Sequence, residues 1–167
     1  SKTILNQPIM SLQTGSPIGT AMAPIINPDN LKVEGFYCND FFSNKTLVLL
    51  YQDIRDILPQ GIVVDDQDSL TDPSELIRLQ KIMQIGFELI GKPIETVSKE
   101  KIGKVSDYAV ETNTMFIQKI YASQSLFKSF TGGSLSIDRT QVHEITDKRI
   151  IINDILKGVP ATMPAGI

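Results

Sequence analysis

The first 65 residues alternate between short apolar runs and clusters of turn-forming residues. Most runs are about five residues long, and glycine, proline, asparagine or aspartate bounds each of them, which is typical of strands in a small barrel or sandwich. We therefore predict that the first half of the chain is rich in β-strands. The runs lie at residues 8–12, 18–26, 31–37, 46–51 and 61–65.

Residues 72–86 change to a helical pattern. Asp72 is a suitable N-cap, Pro73 suits the first helical position, Glu75 follows three residues after the cap, and Gly86 is a natural stop. Apolar side chains recur between them at helical spacing, which predicts one helix of about four turns between two β-rich halves. The apolar positions are Leu76, Leu79, Ile82 and Met83, with Ile77 and Ile85 widening the face.

The second half returns to strand patterns and ends in a segment rich in proline and glycine. Residues 158–167 contain two prolines and two glycines, so we predict that they form a flexible tail. The predicted strands of this half lie at residues 93–97, 102–110, 116–121, 134–137, 141–145 and 149–153.

The two strand-rich halves can be aligned with each other as an internal repeat. Identity is low, but the order, spacing and polarity of the segments agree. Gly19 and Gly103 fall at the same place, where glycine permits a tight bend or the close approach of two backbones. We therefore predict a duplicated barrel with about six short strands in each copy. Residues 5–9 align with 90–94, 18–19 with 102–103, 46–49 with 134–137, 53–57 with 141–145, and 61–66 with 149–154.

Two short motifs in the second half are similar to those of a known family. Residues 90–94 read Ile-Gly-Lys-Pro-Ile, and residues 101–107 read Lys-Ile-Gly-Lys-Val-Ser-Asp. Together they resemble the opening of a PRC-barrel domain. Residues 133–137 and 144–152 are similar to the closing strands of that family, so the resemblance extends over most of the second half.

The first half resembles the family less closely, because its matching segment at residues 17–21 lacks the lysine and the aspartate of the motif. The family includes the cytoplasmic part of the photosynthetic reaction-centre H subunit and the C-terminal domain of the ribosome maturation factor RimM. The resemblance therefore implies a role in binding or assembly, and it implies no catalytic residues.

Composition and charge exclude several classes of protein. The 167 residues are 41% hydrophobic and carry a net charge of −3, which excludes wholesale disorder and a strongly basic nucleic-acid binder. A single cysteine and a single histidine form neither an internal disulfide nor a Cys/His zinc cluster, so we expect a reducing, cytoplasmic location. Residues 3–28 carry no charge, but four prolines interrupt them, so we predict neither a signal peptide nor membrane insertion.

Residues with catalytic or ligand-binding chemistry are few and scattered. His143 lies in a predicted strand, and the chain has no nucleophile motif such as GxSxG. Cys38 has no second cysteine or neighbouring histidine to activate it. We therefore predict a surface role for His143, a packing role for Cys38, no catalytic residue and no cofactor.

Two clusters of charge are better explained as structural features than as binding sites. The acidic cluster lacks the central glycine of an EF-hand calcium loop and precedes a helix N-terminus, where negative charge is favourable. Acidic residues interrupt the basic cluster, which predicts a solvated strand face rather than an RNA-binding surface. We therefore predict no metal site. The acidic cluster is Asp65, Asp66, Asp68 and Asp72, and the basic cluster is Lys92, Lys99, Lys101 and Lys104.

Two aromatic segments at corresponding places in the repeat supply the candidate binding residues. Phe41 and Phe42 lie between predicted strands of the first copy, and Phe127 and Phe130 lie in the corresponding connection of the second. If exposed, these side chains would form an apolar patch suited to a protein partner. In the alternative, they plug the ends of the barrels or pack between the two copies.

The sequence thus predicts an all-β protein of two tandem small six-stranded β-barrels, similar to PRC-barrels and joined by one α-helix. We assign residues 1–70 to the first barrel, 71–86 to the helix, 87–157 to the second barrel and 158–167 to the tail. The leading functional hypothesis is a non-enzymatic adaptor that binds a protein partner, with a homodimer as one form. The alternative is a ribosome- or RNA-linked assembly factor. A small-molecule-binding regulator is a third class, which needs convergent polar groups in a cleft.

Overall fold

The computed structural model describes residues 4–123 and 134–154, and the predicted tail lies outside them. Within these residues the chain is mainly β, with one sheet of seven strands, one of six, and one short α-helix. The chain divides into two compact units, Ser1–Phe87 with Thr112–Met115, and Glu88–Glu111 with Phe116–Ile167. Each unit contains one of the two sheets.

The first unit contains a seven-stranded sheet. Its strands are β1 (Pro8–Ser11), β2 (Pro17–Asn27), β3 (Lys32–Asp40), β4 (Thr46–Leu50), β5 (Ile54–Leu58), β6 (Gly61–Val64) and β7 (Leu70–Thr71). They are ordered β5-β6-β1-β2-β3-β4-β7, and every pair is antiparallel except β1 with β6. Side chains alternate between core and surface along β1 and most of β3, because successive residues of a strand point to opposite faces. The fully buried side chains include Ile9, Cys38, Val48, Leu49, Ile62 and Val64.

The second unit contains a six-stranded sheet. Its strands are β8 (Pro93–Thr96), β9 (Lys101–Val110), β10 (Ile117–Ser123), β11 (Ser134–Asp138), β12 (Val142–Ile145) and β13 (Ile150–Ile152). They are ordered β11-β10-β9-β8-β13-β12, and only β8 and β13 run parallel. Isoleucines dominate its core, namely Ile94, Ile102, Ile117, Ile120, Ile137, Ile150 and Ile152.

The strand order confirms the internal repeat. Read from β5, the first sheet runs β5-β6-β1-β2-β3-β4, and the second runs β12-β13-β8-β9-β10-β11, with the parallel pair at the same place. The pairing register also repeats, so the two aligned glycines occupy equivalent positions. Ile9 lies opposite Gly19 on one side and Ile62 on the other, as Ile94 lies opposite Gly103 and Ile150.

The repeat extends to the buried polar residues at the ends of β1 and β8. Ser11 and Thr96 are both buried. The hydroxyl of Ser11 accepts a hydrogen bond from the backbone N–H of Thr14 at 3.3 Å, and that of Thr96 accepts one from Glu100 at 3.1 Å. Each hydroxyl therefore binds the backbone of the turn that follows its strand, which satisfies a donor that the sheet leaves unpaired.

The prediction of two closed six-stranded barrels is wrong in two respects. The first sheet has seven strands, because the two-residue strand β7 adds to the outer edge of β4. Neither sheet closes within the described residues, since each end strand pairs with only one neighbour. Closure of a barrel requires hydrogen bonds between the two end strands, and these two open, mainly antiparallel sheets lack them.

The predicted four-turn helix is also shorter than expected. Residues 72–86 form two 3₁₀ turns, Pro73–Glu75 and Ile77–Leu79, followed by α1 (Gln80–Ile85). The backbone of Leu76, with φ −94° and ψ 73°, leaves the helical region and interrupts the pattern. No helix in the described parts of the chain combines the length and apolar character needed to cross a bilayer. Three other 3₁₀ turns are Tyr51–Asp53, Gln67–Ser69 and Arg139–Gln141.

The predicted end at Gly86 is confirmed, whereas the predicted cap Asp72 starts a 3₁₀ turn and α1 itself begins at Gln80. The carboxylate of Asp72 accepts a hydrogen bond from the backbone N–H of Ser74 at 2.9 Å, and Pro73 occupies the first position of the turn. Gly86 has the left-handed backbone of a C-cap, with φ 59°. The apolar side chains of this segment are less buried than their helical spacing predicts. Ile77, for example, is 82% exposed.

Gly19 and Gly103 are glycines for two different reasons. A Cβ atom on Gly19 would lie 2.6 Å from the carbonyl oxygen of Asn39 on the adjacent strand β3. This confirms the predicted close approach of two backbones at Gly19. Gly103 instead has a backbone φ of +150°, a conformation that residues with a Cβ atom rarely adopt.

Replacing Gly19 by alanine therefore forces the backbone of Asn39 to move. We expect Gly19→Ala to lower the free energy of unfolding by about 1–3 kcal/mol, because rigid backbone must yield to the new methyl group. Urea unfolding followed by circular dichroism measures the change. Thr20→Ala on the same strand is the control, with an expected change below about 0.5 kcal/mol. Equal stability of the two variants would contradict the steric explanation.

Candidate interaction site

The two residues with nucleophile or general-base chemistry belong to different units. Cys38 lies in β3 with no exposed surface, and burial raises the pKa of its thiol to about 12, although a backbone hydrogen bond with Leu49 lowers it slightly. A thiol with this pKa carries almost no reactive thiolate at neutral pH. His143 is exposed on β12, an end strand of the second sheet. The structure therefore brings neither residue into a catalytic arrangement.

Local contacts account for three of the four residues in the acidic cluster. Asp65 forms a salt bridge with Arg55 at 2.7 Å. Asp66 and Asp72 each cap a 3₁₀ turn with their side chains. Across residues 4–123 and 134–154, no three histidine, cysteine, aspartate or glutamate side chains form a group that could hold a metal.

Only two of the four lysines in the basic cluster line a common pocket on the second sheet. Lys101 and Lys104 line a shallow pocket of about 300 Å³ on β8 and β9, together with Glu95 and Arg149. The Arg149 guanidinium donates to the Glu95 carboxylate at 3.0 Å, so one cation of this pocket is already paired. Lys92 and Lys99 do not line the pocket. The pocket thus carries both signs of charge.

The aromatic turn of the first unit is exposed. Phe41 and Phe42 begin the turn between β3 and β4, and 47% and 73% of their surfaces are accessible. This exposure favours the partner-facing alternative over packing in the interior. Phe127 and Phe130, the candidates from the second copy, lie outside the described residues.

Asp40, at the end of β3, holds this turn in place. It is only 3% exposed. One carboxylate oxygen, Oδ2, accepts from the backbone N–H of Ser43 at 3.1 Å and from its hydroxyl at 2.5 Å. The other, Oδ1, accepts from Nε2 of Gln67 at 2.7 Å. A buried carboxylate therefore connects the base of the aromatic turn to the segment that follows β6.

The hydrogen bonds at Asp40 favour its charged form. Burial raises the pKa of this carboxyl. The side chains of Ser43 and Gln67 and the backbone N–H groups of Ser43 and Phe42 outweigh that effect, so the pKa lies below its usual value. The carboxylate is thus ionised at neutral pH and its hydrogen bonds are charge-assisted, which makes them stronger than neutral ones.

Backbone contacts fix the turn further. The N–H of Phe41 donates to the carbonyl of Ile18 at 3.0 Å, and the N–H of Asn44 donates to the carbonyl of Asp40 at 2.9 Å. Asn44 has φ 56°, a left-handed conformation that asparagine tolerates better than most residues. Phe41 and Phe42 are therefore exposed on a turn whose conformation is set by several independent contacts.

A third apolar side chain lies at the same end of the first sheet. Leu12 follows β1, its N–H donates to the carbonyl of Val64 at 2.9 Å, and it is 63% exposed. The turn after β1 and the turn after β3 share this end, because Met10 pairs with Pro17 and Gly19 with Asp40 on successive strands. We call Leu12, Phe41 and Phe42 the apolar end.

The sequence prediction missed Leu12 and Asp40. Leu12 was placed inside a strand, because the apolar run 8–12 continues through it. Asp40 carried a signal that could have been used: aspartate followed three residues later by serine is typical of a turn in which the carboxylate binds the backbone. The second repeat has Val97 at the position of Leu12, where it is 44% exposed.

Removing the Asp40 carboxylate should destabilise the first unit in a pH-dependent way. We expect Asp40→Ala to lower the free energy of unfolding at pH 7 by about 1–3 kcal/mol. A depressed folded-state pKa stabilises the fold above the unfolded pKa of about 3.9, and that contribution is lost as pH falls through the folded value. The gap between wild type and variant should therefore shrink on acidification in urea titrations.

The exposed Asp56 provides the control for this measurement. Among the described residues its carboxylate accepts from the neighbouring N–H of Ile57 alone, so Asp56→Ala should change stability little. A stability gap at Asp40 that stays constant from pH 7 to about pH 3 would contradict the role of its ionised form.

Burial should also protect Cys38 from thiol reagents. We expect no reaction with an aromatic disulfide reagent in the folded protein and full reaction in denaturant, because the thiol is buried and its pKa is about 12. The absorbance of the released thiolate measures both rates. Rapid reaction in the folded protein would show that β3 opens readily.

Comparison of the chain with protein-family models finds no match, and comparison with curated proteins finds none. Its function has therefore to be inferred from the described geometry and from the resemblance of its motifs.

Proposed function

We propose that this chain is a non-enzymatic protein-interaction module that binds a protein partner through the apolar end, Leu12, Phe41 and Phe42. One observation carries the proposal: two adjacent phenylalanines are exposed on a turn that a buried carboxylate holds in place. Large apolar side chains outside the core usually mark a contact surface when they are grouped.

The chemistry of the apolar end fits a protein better than a nucleic acid. Aromatic side chains are enriched at the centres of protein interfaces, where they supply much of the binding energy. A turn fixed before binding loses little conformational entropy when the partner docks.

We further propose that each unit is a PRC-barrel-like domain. The duplicated topology with its single parallel pair supports two copies of one ancestral unit. The resemblance of residues 90–94 and 101–107 to the family motif supports the family, which has binding roles. A chain with one buried cysteine and no disulfide suits the reducing cytoplasm.

The curvature of the first sheet also supports a barrel-like form. β6 and β7 stand five strand spacings apart in the sheet order, which is about 24 Å in a flat sheet. Only residues 65–69 connect them, and three of these form a 3₁₀ turn. The six Cα–Cα steps from Val64 to Leu70 span at most about 22 Å when fully extended, and the 3₁₀ turn shortens that span. The sheet must therefore curl toward itself.

The test compares capture of partners by matched surface variants. Phe41→Ser/Phe42→Ser removes the aromatic part of the apolar end. Ile77→Ser is the control, because Ile77 is another large apolar side chain and is 82% exposed elsewhere in the same unit. Phe127→Ser/Phe130→Ser examines the corresponding segment of the second copy. Thermal melting first establishes that each variant folds.

We expect a specific protein that binds wild type and Ile77→Ser and is lost with Phe41→Ser/Phe42→Ser. Titration of the purified partner should show affinity reduced at least 10-fold, since interface aromatics commonly contribute 2 kcal/mol or more. Equal binding by all variants would reject the apolar end as the contact surface. Recovery of RNA or ribosomal proteins, insensitive to the phenylalanines, would favour the alternative of a ribosome-linked assembly factor.

A further inference from the structure

The pocket on the second sheet carries an excess of positive charge. Its volume is about 300 Å³, and it is lined by β8, β9 and the residue that precedes β13. Three of its side chains are cations and one is a carboxylate, so three positive charges and one negative charge leave an excess of two positive charges. The four charged residues are Lys101, Lys104, Arg149 and Glu95.

The register of the strands places two of these cations on either side of Pro93. Lys104 lies directly opposite Pro93 on β9. On the other side of β8, Ile150 pairs with Ile94. The residue before that pair, Arg149, therefore lies beside Pro93. Two strand spacings, about 10 Å, separate the backbones of Lys104 and Arg149. Both side chains are long enough to extend over the proline toward one ligand.

The single carboxylate pairs with only one of the three cations. The Arg149 guanidinium donates through Nη1 to Glu95 at 3.0 Å, which fixes its position and uses one of its five donors. Neither Lys101 nor Lys104 forms an ion pair with a residue of 4–123 or 134–154. The remaining residues of the chain include no aspartate or glutamate, so they offer the lysines no side-chain carboxylate either.

The first repeat shows that the fold does not require these four charges. The equivalent positions follow from the repeated strand register, and in the first unit none of them holds a charged residue. The first sheet nevertheless forms, and exposed ion pairs add little stability in any case. A structural role thus does not explain why three cations gather in the second unit. The equivalents of Glu95, Lys101, Lys104 and Arg149 are Met10, Pro17, Thr20 and Gly61.

We propose that this pocket binds the phosphate group of a small phosphorylated molecule. A phosphate monoester carries close to two negative charges at pH 7 and has three acceptor oxygens, which match the excess charge and the three cations of the pocket. A single carboxylate has one charge and two oxygens, so it matches them less well. The volume lies at the lower end of the range for small-molecule sites. All the lining residues belong to the second unit, so the proposal is independent of the apolar end.

Nuclear magnetic resonance can locate the site in the unaltered chain. The backbone amide signals are followed during a titration with methyl phosphate at pH 7.5, and sodium chloride of matched ionic strength is the blank. We expect saturable shifts at Lys101, Lys104 and Arg149. Shifts that do not saturate, or that are equally large at exposed lysines outside the pocket, would overturn the proposal, because they report only general screening of charge.

Matched variants test the contribution of the two lysines. We expect Lys101→Gln/Lys104→Gln to bind methyl phosphate at least about 10-fold more weakly, because two charge-assisted hydrogen bonds are lost. Lys99→Gln/Lys119→Gln is the control, since it removes the same charge from two exposed lysines of the same unit that do not line the pocket. Lys101→Arg/Lys104→Arg keeps the charge and should bind within about threefold of wild type. Equal losses of affinity in the two glutamine variants would contradict a site at this pocket.

Two further ligands identify the class of anion. Succinate carries two negative charges on separate carboxylates, and we expect it to bind at least about fivefold more weakly than methyl phosphate. Equal or tighter binding of succinate would overturn the assignment of a phosphate group. A tripeptide with a central phosphoserine should bind no more tightly than methyl phosphate, because the pocket has room for a small ligand only. Tighter binding of the peptide would overturn the assignment to a small molecule and indicate a phosphorylated protein segment instead.

Discussion

Each unit depends on a parallel pair between its first strand and a strand near its end. Ile9 and Ile62 pair across about fifty residues, and Ile94 and Ile150 do so in the second unit. Parallel strands need a long crossover connection, and here the antiparallel strands between them provide it. Because parallel strands end on the same side of a sheet, the turn after the first strand meets the segment after the last. The N–H of Leu12 binds Val64, and that of Val97 binds Ile152.

Because the segment after β6 lies at this end of the first sheet, it can hold the aromatic turn in place. Gln67 follows β6 and reaches Asp40 at the end of β3, so a residue from the last part of the unit fixes a turn in its middle. An exposed phenylalanine loses the hydrophobic stabilisation of burial, which is roughly 25 cal/mol for each Å² of apolar surface left in water. The charge-assisted hydrogen bonds at Asp40 help to offset that loss and keep Phe41 and Phe42 on the surface.

The sequence predicted the features of the fold that local pattern encodes. Alternation and turn residues located most strands, and the alignment of the halves matched the register, because each strand carries its own two-residue period. The sequence did not predict β7, since a strand of two residues is too short to show an alternation of apolar and polar positions. The helix at 72–86 was overextended, because spacing does not show that the backbone of Leu76 leaves the helical region. The contact of Asp40 with Gln67 spans 27 residues and depends on the folded sheet.

The two repeats preserve their interiors and diverge on their surfaces. Ile9 and Ile94 hold the same buried position, but Met10, the half-buried neighbour of Ile9, corresponds to Glu95 of the second unit, which pairs with Arg149. An apolar surface in one copy is thus replaced by an ion pair in the other. A partner that recognised only the common backbone would bind both units equally. Under the proposed function, a partner specific for one unit would therefore have to recognise the outward side chains in which the two units differ.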